Sequence, residues 1–207
     1  MKKEKLYVFV MLLIGIVGIW QQSSNCQAAI YEGEYRGTYY DDQGVLYEYI
    51  DTSDEVEKDP FVGIVVRGIK QTYNDLGKPK VTEIMIPDVI DGIPVKSIAM
   101  NAFRDHSEIT SVTCGKQLEW IGISSFEGCT GLKTVTFNKD LEAIGVKSFK
   151  DCTGLETINF NGNLEEILEG AFEGCTGLKT VAIPKRVDHI GERTFANCKN
   201  LSEVKIL

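Results

Sequence analysis

The ten residues FEGCTGLKTV occur twice, at 126–135 and at 172–181, 46 positions apart in a chain of 207 residues. Identity of that length does not arise by chance in so short a sequence, and a weaker copy, FKDCTGLETI at 149–158, stands halfway between the two. The pattern fades to FANCKNLSEV at 195–204 and FRDHSEITSV at 103–112, which sets the period at 23 residues. A fixed period of this size predicts a solenoid, because a unit so short cannot bury its apolar face alone and must stack on its neighbours.

In register, the full units are residues 110–132, 133–155, 156–178 and 179–201, preceded by a degenerate unit at 81–109 and followed by the partial unit SEVKIL at 202–207. Columns that stay apolar from unit to unit must point into a shared core. Seven do so, among them Val112/Val135/Ile158/Val181/Val204, Phe103/Phe126/Phe149/Phe172/Phe195 and Cys129/Cys152/Cys175/Cys198. The period-two alternation in V-T-F, I-N-F and V-A-I predicts that every unit donates one short strand, half buried, to a parallel sheet. The Ile-Gly pairs at 121–122, 144–145 and 190–191 mark a corner after a second extended piece, and the Thr-Gly pairs at 130–131, 153–154 and 176–177 lead back to the next strand. Glycine suits such corners through its tolerance of positive φ. Leu168 breaks the Gly column, so that corner should differ. The intervening S/A-F-x-x-C segment is expected to form a short 3₁₀ or helical stretch on the side opposite the strands.

The skeleton L-x-x-V/I-x-Φ-P followed by I-G-x-x-x-F-x-x-C-x-x-L resembles the BspA-like leucine-rich repeat family, a bacterial class with 23-residue units. The resemblance covers roughly residues 81–207, and IMIPDVIDGIPVKSIAMNAF (84–103) looks like that family's opening unit, with an extra Asp-Gly turn before the I-P-V-x-x-I strand. It implies an exported bacterial protein, in a family where some members act as adhesins for host or microbial surface proteins.

Ahead of the repeats, residues 1–28 have the layout of a secretory signal peptide: lysines at the start, an apolar run from Leu6 to Trp20, and small residues near Ala28. The run is shorter than the roughly 20 residues a spanning helix needs, which favours cleavage over an uncleaved anchor. After cleavage, no membrane insertion is expected. Residues 29–80 then read as an acidic N-terminal cap. Residues 30–60 hold ten acidic and two basic side chains, a balance equal to the net charge of −8 for the whole chain. The runs LYEYI (46–50) and FVGIVVRGI (61–69) predict two strands of a hairpin-like cap over the first coil, of the kind that keeps repeat arrays soluble. DTSDEVEKD (51–59) alternates carboxylates as a calcium loop does, yet Val56 stands where an EF-hand needs Gly and Val62 where it needs Glu, so no metal site is assigned.

Nothing in the repeats reads as catalytic. Five cysteines lie beyond the signal segment, at spacings of 15 or 23 that cannot wrap one zinc ion. Coils about 4.8 Å apart would allow neighbours such as Cys152 and Cys175 to bond, but the column's period matches the core, which favours a ladder of free, inert thiols. The two histidines differ in setting: His106 takes the Cys column in the degenerate unit, and His189 faces outward between Asp188 and Ile190. Neither stands near a nucleophile in register, and no Gly-rich phosphate loop or cofactor motif is present, so neither an enzyme nor a cofactor is predicted. The acidic column Glu119/Glu142/Glu165/Asp188 is expected to be screened by solvent and by Lys116, Lys139 and Lys185 rather than to hold a cation.

A solenoid's asset is a long, regular surface. The outward columns beside the strand carry Lys133, Glu156 and Lys179, then Thr134, Thr157 and Thr180, then Thr136 and Asn159. These eight residues form the candidate binding surface, for an extracellular protein or glycan. The negative charge and the lack of a basic stripe argue against nucleic acid and anionic membranes. A second class of reading is a structural or assembly protein that self-associates through the coil begun by SEVKIL, where no polar cap is visible.

Overall fold

The computed structural model describes residues 26–31, 34–41, 44–51, 62–69, 81–160 and 162–207. Most of the predicted signal segment, residues 1–25, and nearly all of the acidic 51–59 run fall outside these.

Every coil of the repeat region except the partial one at 202–207 contributes two short strands, not one. The first ladder consists of β5 (Glu83–Met85), β8 (Ser111–Thr113), β10 (Thr134–Thr136), β12 (Thr157–Asn159), β14 (Thr180–Ile183) and β16 (Glu203–Ile206), all parallel and adjacent in that order. Its pairings, such as Val135 with Val112 and Ile158 with Val181, keep the 23-residue offset read from the sequence. Between β5 and β8 the offset is instead 28, with Glu83 opposite Ser111. The extra residues make the hairpin of β6 (Val89–Ile90) and β7 (Ile93–Ile98), closed by Asp91 and Gly92 at φ values of 51° and 80°. Positive φ at both turn positions matches the right-handed twist of the flanking strands, and Asp-Gly supplies it at least strain.

The second extended piece is itself hydrogen-bonded. In parallel, β7 pairs with β9 (Trp120–Ile121), then β11 (Ala143–Ile144), β13 (Glu166–Ile167) and β15 (His189–Ile190). This ladder also holds the cap. Strands β1 (Cys26–Tyr31), β2 (Glu34–Tyr40), β3 (Val45–Asp51) and β4 (Val62–Ile69) form an antiparallel meander, and β4 joins β7 in parallel. The expected hairpin of residues 46–50 and 61–69 forms as β3 and β4, and through β4 it continues the second ladder as one sheet. Asp41 organises the β2–β3 turn by accepting the Val45 N–H (2.9 Å) and the Tyr47 hydroxyl (3.0 Å). Cleavage after Ala28 would remove the first three residues of β1.

The expected 3₁₀ or helical segment is absent from the described corners, and the hydrogen bonds give the reason. Ser125, Glu127 and Cys129 donate to the carbonyls three residues back, Gly122, Ser124 and Phe126, at 3.1–3.3 Å. The alternate residues Ser124, Phe126 and Gly128 donate instead to Val146, Ser148 and Lys150 of the next coil, at 2.7–2.9 Å. A 3₁₀ helix needs consecutive i→i+3 bonds. Here every second donor is committed to the neighbouring coil, so the segment is a run of turns that stitches the stack together.

The core lies between the two ladders and the corner segment. Phe103, Phe126, Phe149, Phe172 and Phe195 stack face to face with centroid separations of 5.0, 5.1, 5.3 and 5.7 Å and planes within 8° of parallel. Phe137 meets Phe149 edge-on at 5.9 Å, tying the strand side to this spine. The glycines of the Ile-Gly and Thr-Gly corners have a different role from the one expected. Their φ values are not positive; the left-handed positions are Asn101/Ser124/Lys147/Gly170/Arg193 and Asp105/Gly128/Asp151/Gly174/Asn197. What Gly145 and Gly154 supply is room. A Cβ on either would lie 2.6 Å from a backbone oxygen of the preceding coil, Ile121 or Thr130. The Leu168 corner keeps the same bond as its glycine counterparts, its N–H on Ile144 O at 2.9 Å, and places Gly170 at the left-handed position.

Candidate functional site

The first ladder turns one face inward and the other to solvent. Val135, Ile158 and Val181 are buried, and the flanking residues on either side of each point out. All eight candidate residues, Lys133, Thr134, Thr136, Glu156, Thr157, Asn159, Lys179 and Thr180, are exposed. The ladder brings them into aligned columns, with Thr136 paired to Asn159 and Thr157 to Thr180. The outcome is an even strip of short hydroxyl and amide side chains, repeated at the roughly 4.8 Å spacing of adjacent strands. Threonine suits such a strip because its branched Cβ favours the extended backbone while its hydroxyl stays free for a partner.

Charge on the strip is balanced. Lys179 Nζ lies 2.8 Å from Glu156 Oε2, and this hydrogen bond holds the Glu156 carboxyl below its usual range. Both side chains are well exposed, so the pair adds little to stability and leaves its charges available. At the strip's margins stand Glu83 and Met85 on β5 and Glu203 and Lys205 on β16, all exposed.

Two members of the acidic column are paired, by residues other than the lysines expected from the sequence. Glu119 pairs with Lys96 of the preceding coil (3.1 Å), and Glu165 pairs with Arg186 of the following one (2.5 Å), whereas Lys116 pairs with Asp88 (3.2 Å). Cross-coil pairing of this kind follows from the 23-residue stack, which brings side chains far apart in sequence to within ion-pair reach. Among the described residues, no group of three or more His, Cys, Asp or Glu side chains is arranged to hold a metal ion.

The cysteines show the opposite of activation. Cys129, Cys152, Cys175 and Cys198 donate their thiol hydrogens to the carbonyls of Phe103, Phe126, Phe149 and Phe172 one coil earlier, at 2.9–3.2 Å. Burial pushes Cys129 up to about 12, raises Cys152 and Cys175 well above the ordinary thiol range, and raises the half-buried Cys198 as well. A nucleophilic cysteine needs the reverse shift. His106 hydrogen-bonds Glu108 through Nδ1 (2.7 Å) and remains part of the first coil's margin.

Two features escaped the sequence reading. Asn138 is buried and clamps a turn, its Nδ2 on Leu118 O (2.9 Å) and its Oδ1 accepting the Asp140 N–H (2.8 Å). On the second ladder Trp120 is 44% exposed, and at the adjoining corner Met100 and Ile123 are 63% and 48% exposed. The signal for Trp120 was present in its column, where Ser97, Ala143, Glu166 and His189 are the other members.

The comparisons with known proteins agree on the architecture. Residues 79–207 match the BspA type leucine rich repeat region in six copies. Among solved structures, the chain is similar to a leucine rich repeat protein of T. pallidum, at 29% identity and a TM-score of 0.65, over 76% of this chain and 67% of that one. It is also similar to a leucine rich cell surface protein of Faecalibacterium prausnitzii, at 25% identity and a TM-score of 0.66, over 82% of this chain and 39% of the other. A leucine-rich repeat protein of Bacteroides ovatus shares the fold at 22% identity and a TM-score of 0.62, over 88% and 40% of the two chains. The chain therefore spans about two fifths of the length of two of these structures. A comparison with curated proteins finds no match. The repeat length, the twin ladders and the six-copy match establish that this chain belongs to the BspA-type leucine-rich repeat family.

Proposed function

We propose that this chain is an exported bacterial binding module that takes an extracellular protein or glycan ligand on the polar face of its first ladder. The observation that carries the reading is the strip itself: Thr134, Thr136, Thr157, Asn159 and Thr180 stand exposed in aligned columns on a rigid sheet, flanked by Lys133, Glu156 and Lys179. A surface held in place by the core loses little conformational freedom on binding, and short polar side chains can hydrogen-bond either a backbone or a sugar. The similarity to a leucine rich cell surface protein supports a location at or beyond the cell envelope, and the signal-like layout of residues 1–28 supports export. The role is recognition, with adhesion as its simplest use and no catalytic step.

The test is a binding screen of residues 29–207 against extracellular matrix proteins and surface glycans, beside a variant with Thr134, Thr136, Thr157 and Asn159 all changed to Lys. The proposal expects capture of at least one ligand by the parent, reduced about tenfold or more in a variant with an unchanged circular dichroism spectrum. Capture that survives the four substitutions would move the contact to another face. No capture by the parent would remove the strip as a recognition surface.

A further inference from the structure

Two outward columns of the second ladder change character at the same coil. The column of Trp120 reads Ser97, Trp120, Ala143, Glu166 and His189, and the corner column three residues further on reads Met100, Ile123, Val146, Glu169 and Glu192. On the coils nearer the cap, Trp120, Met100 and Ile123 are all exposed. Exposed positions give no packing reason for large apolar side chains where later coils carry carboxylates. The stack gathers the three on one side: β9 lies against β7 with Trp120 opposite Ser97, and Asn101 N–H donates to Ile123 O (3.0 Å), which sets the Met100 corner beside that of Ile123. An exposed apolar patch on a rigid face marks a contact site, and tryptophan is enriched at the energetic centre of such contacts.

The charge beside the patch selects its occupant. Neither column holds a Lys or Arg. Lys96 and Arg186 are taken by Glu119 and Glu165, and Arg193 and Lys147 act on the Glu173 carboxylate. Glu142, Glu166 and Glu169 form no ion pair among the described residues. An apolar patch that runs into free carboxylates is complementary to a segment whose apolar side chains are followed by Lys or Arg, and a cation can also lie over the Trp120 ring. The same charge repels an anionic membrane. The three coil steps from Met100 to Glu169 cover about 14 Å, the reach of about four extended residues. We propose that the second ladder docks a short basic segment of a partner protein, its apolar side chains on Trp120, Met100 and Ile123 and its Lys or Arg side chains on Glu166 and Glu169. The site lies across the core from the threonine strip, so the docking goes beyond the proposed recognition role and does not depend on it.

Trp20 and Trp120 are the two tryptophans of the chain, so Trp20→Phe in the full chain leaves the emission of Trp120 as a direct readout. The probe is the synthetic peptide Leu-Leu-Phe-Lys-Arg-Lys. It should shift that emission to shorter wavelength and saturate, and added salt should weaken the binding. The acidic counterpart Leu-Leu-Phe-Glu-Glu-Glu should produce no shift. Read by the anisotropy of a labelled peptide, Trp120→Ser should weaken binding of the basic peptide about tenfold or more. Glu166→Lys/Glu169→Lys should weaken it as much and should take up the acidic peptide instead, a gain that a misfolded variant would not show. Absence of a shift with the basic peptide overturns the proposal. So does equal binding of the two peptides, or binding indifferent to these substitutions. A shift given by a neutral oligosaccharide such as maltohexaose, and not by the basic peptide, would overturn it in favour of a sugar.

Discussion

Cys152 donates a thiol hydrogen bond to the Phe126 carbonyl (3.1 Å) in the middle of the stack, which gives a reason for cysteine in this column rather than another small apolar residue. The thiol fills an apolar space and satisfies a carbonyl at once. The sequence showed the column and its apolar character, but the partner carbonyl lies 26 residues away and depends on how the coils stack. The glycines follow the same logic. Their positions were legible, yet their role as room for a neighbouring backbone, not as left-handed corners, appears only when the preceding coil is in place. At this scale the prediction concerns reactivity. In a Cys26→Ser background at about pH 8, a thiol reagent should modify one thiol per folded chain within minutes, and that thiol should be Cys198. Burial keeps Cys114, Cys129, Cys152 and Cys175 protonated and out of reach. Rapid modification of three or more thiols in the folded chain would contradict the ladder.

Among the elements, the strands of the first ladder were the most legible, because a half-buried strand writes its alternation directly into columns such as Val135/Ile158/Val181. The two-residue strands of the second ladder, such as Ala143–Ile144, are too short to show alternation at all. The corner segment was misread for a related reason. Phe126 and Cys129 are three residues apart, as on a 3₁₀ turn, but the sequence does not record that Phe126 N–H is committed to Ser148 O (2.7 Å) in the next coil. The Phe spine is the element whose loss should matter most. Phe149 is fully buried between Phe126 and Phe172, so Phe149→Ala should lower stability to urea by about 3–5 kcal/mol, through lost contacts and the cavity left behind. Thr134→Ala, on the exposed strip, should change it by less than about 0.5 kcal/mol. Comparable effects of the two substitutions would mean that the spine is not the core.

For the whole molecule, the period of 23 was enough to predict a solenoid and its outward strip, because stacking identical units leaves few other ways to bury their apolar columns. It was not enough to predict that the cap continues the second ladder, since the pairing of β4 with β7 joins a non-repeating segment to the array. The strip's eight residues could be named from their columns alone; what they bind is a matter of ligand chemistry that no column records. Each inner coil hands its alternate corner donors to the next, which makes the stack rigid and its surface regular. Amide hydrogen exchange tests this most directly. Ser124, Phe126, Gly128, Phe149 and Phe172 donate across coils and should exchange slowly. Slow exchange at these corner amides is the predicted result; fast exchange in all of them would contradict the stacked coil.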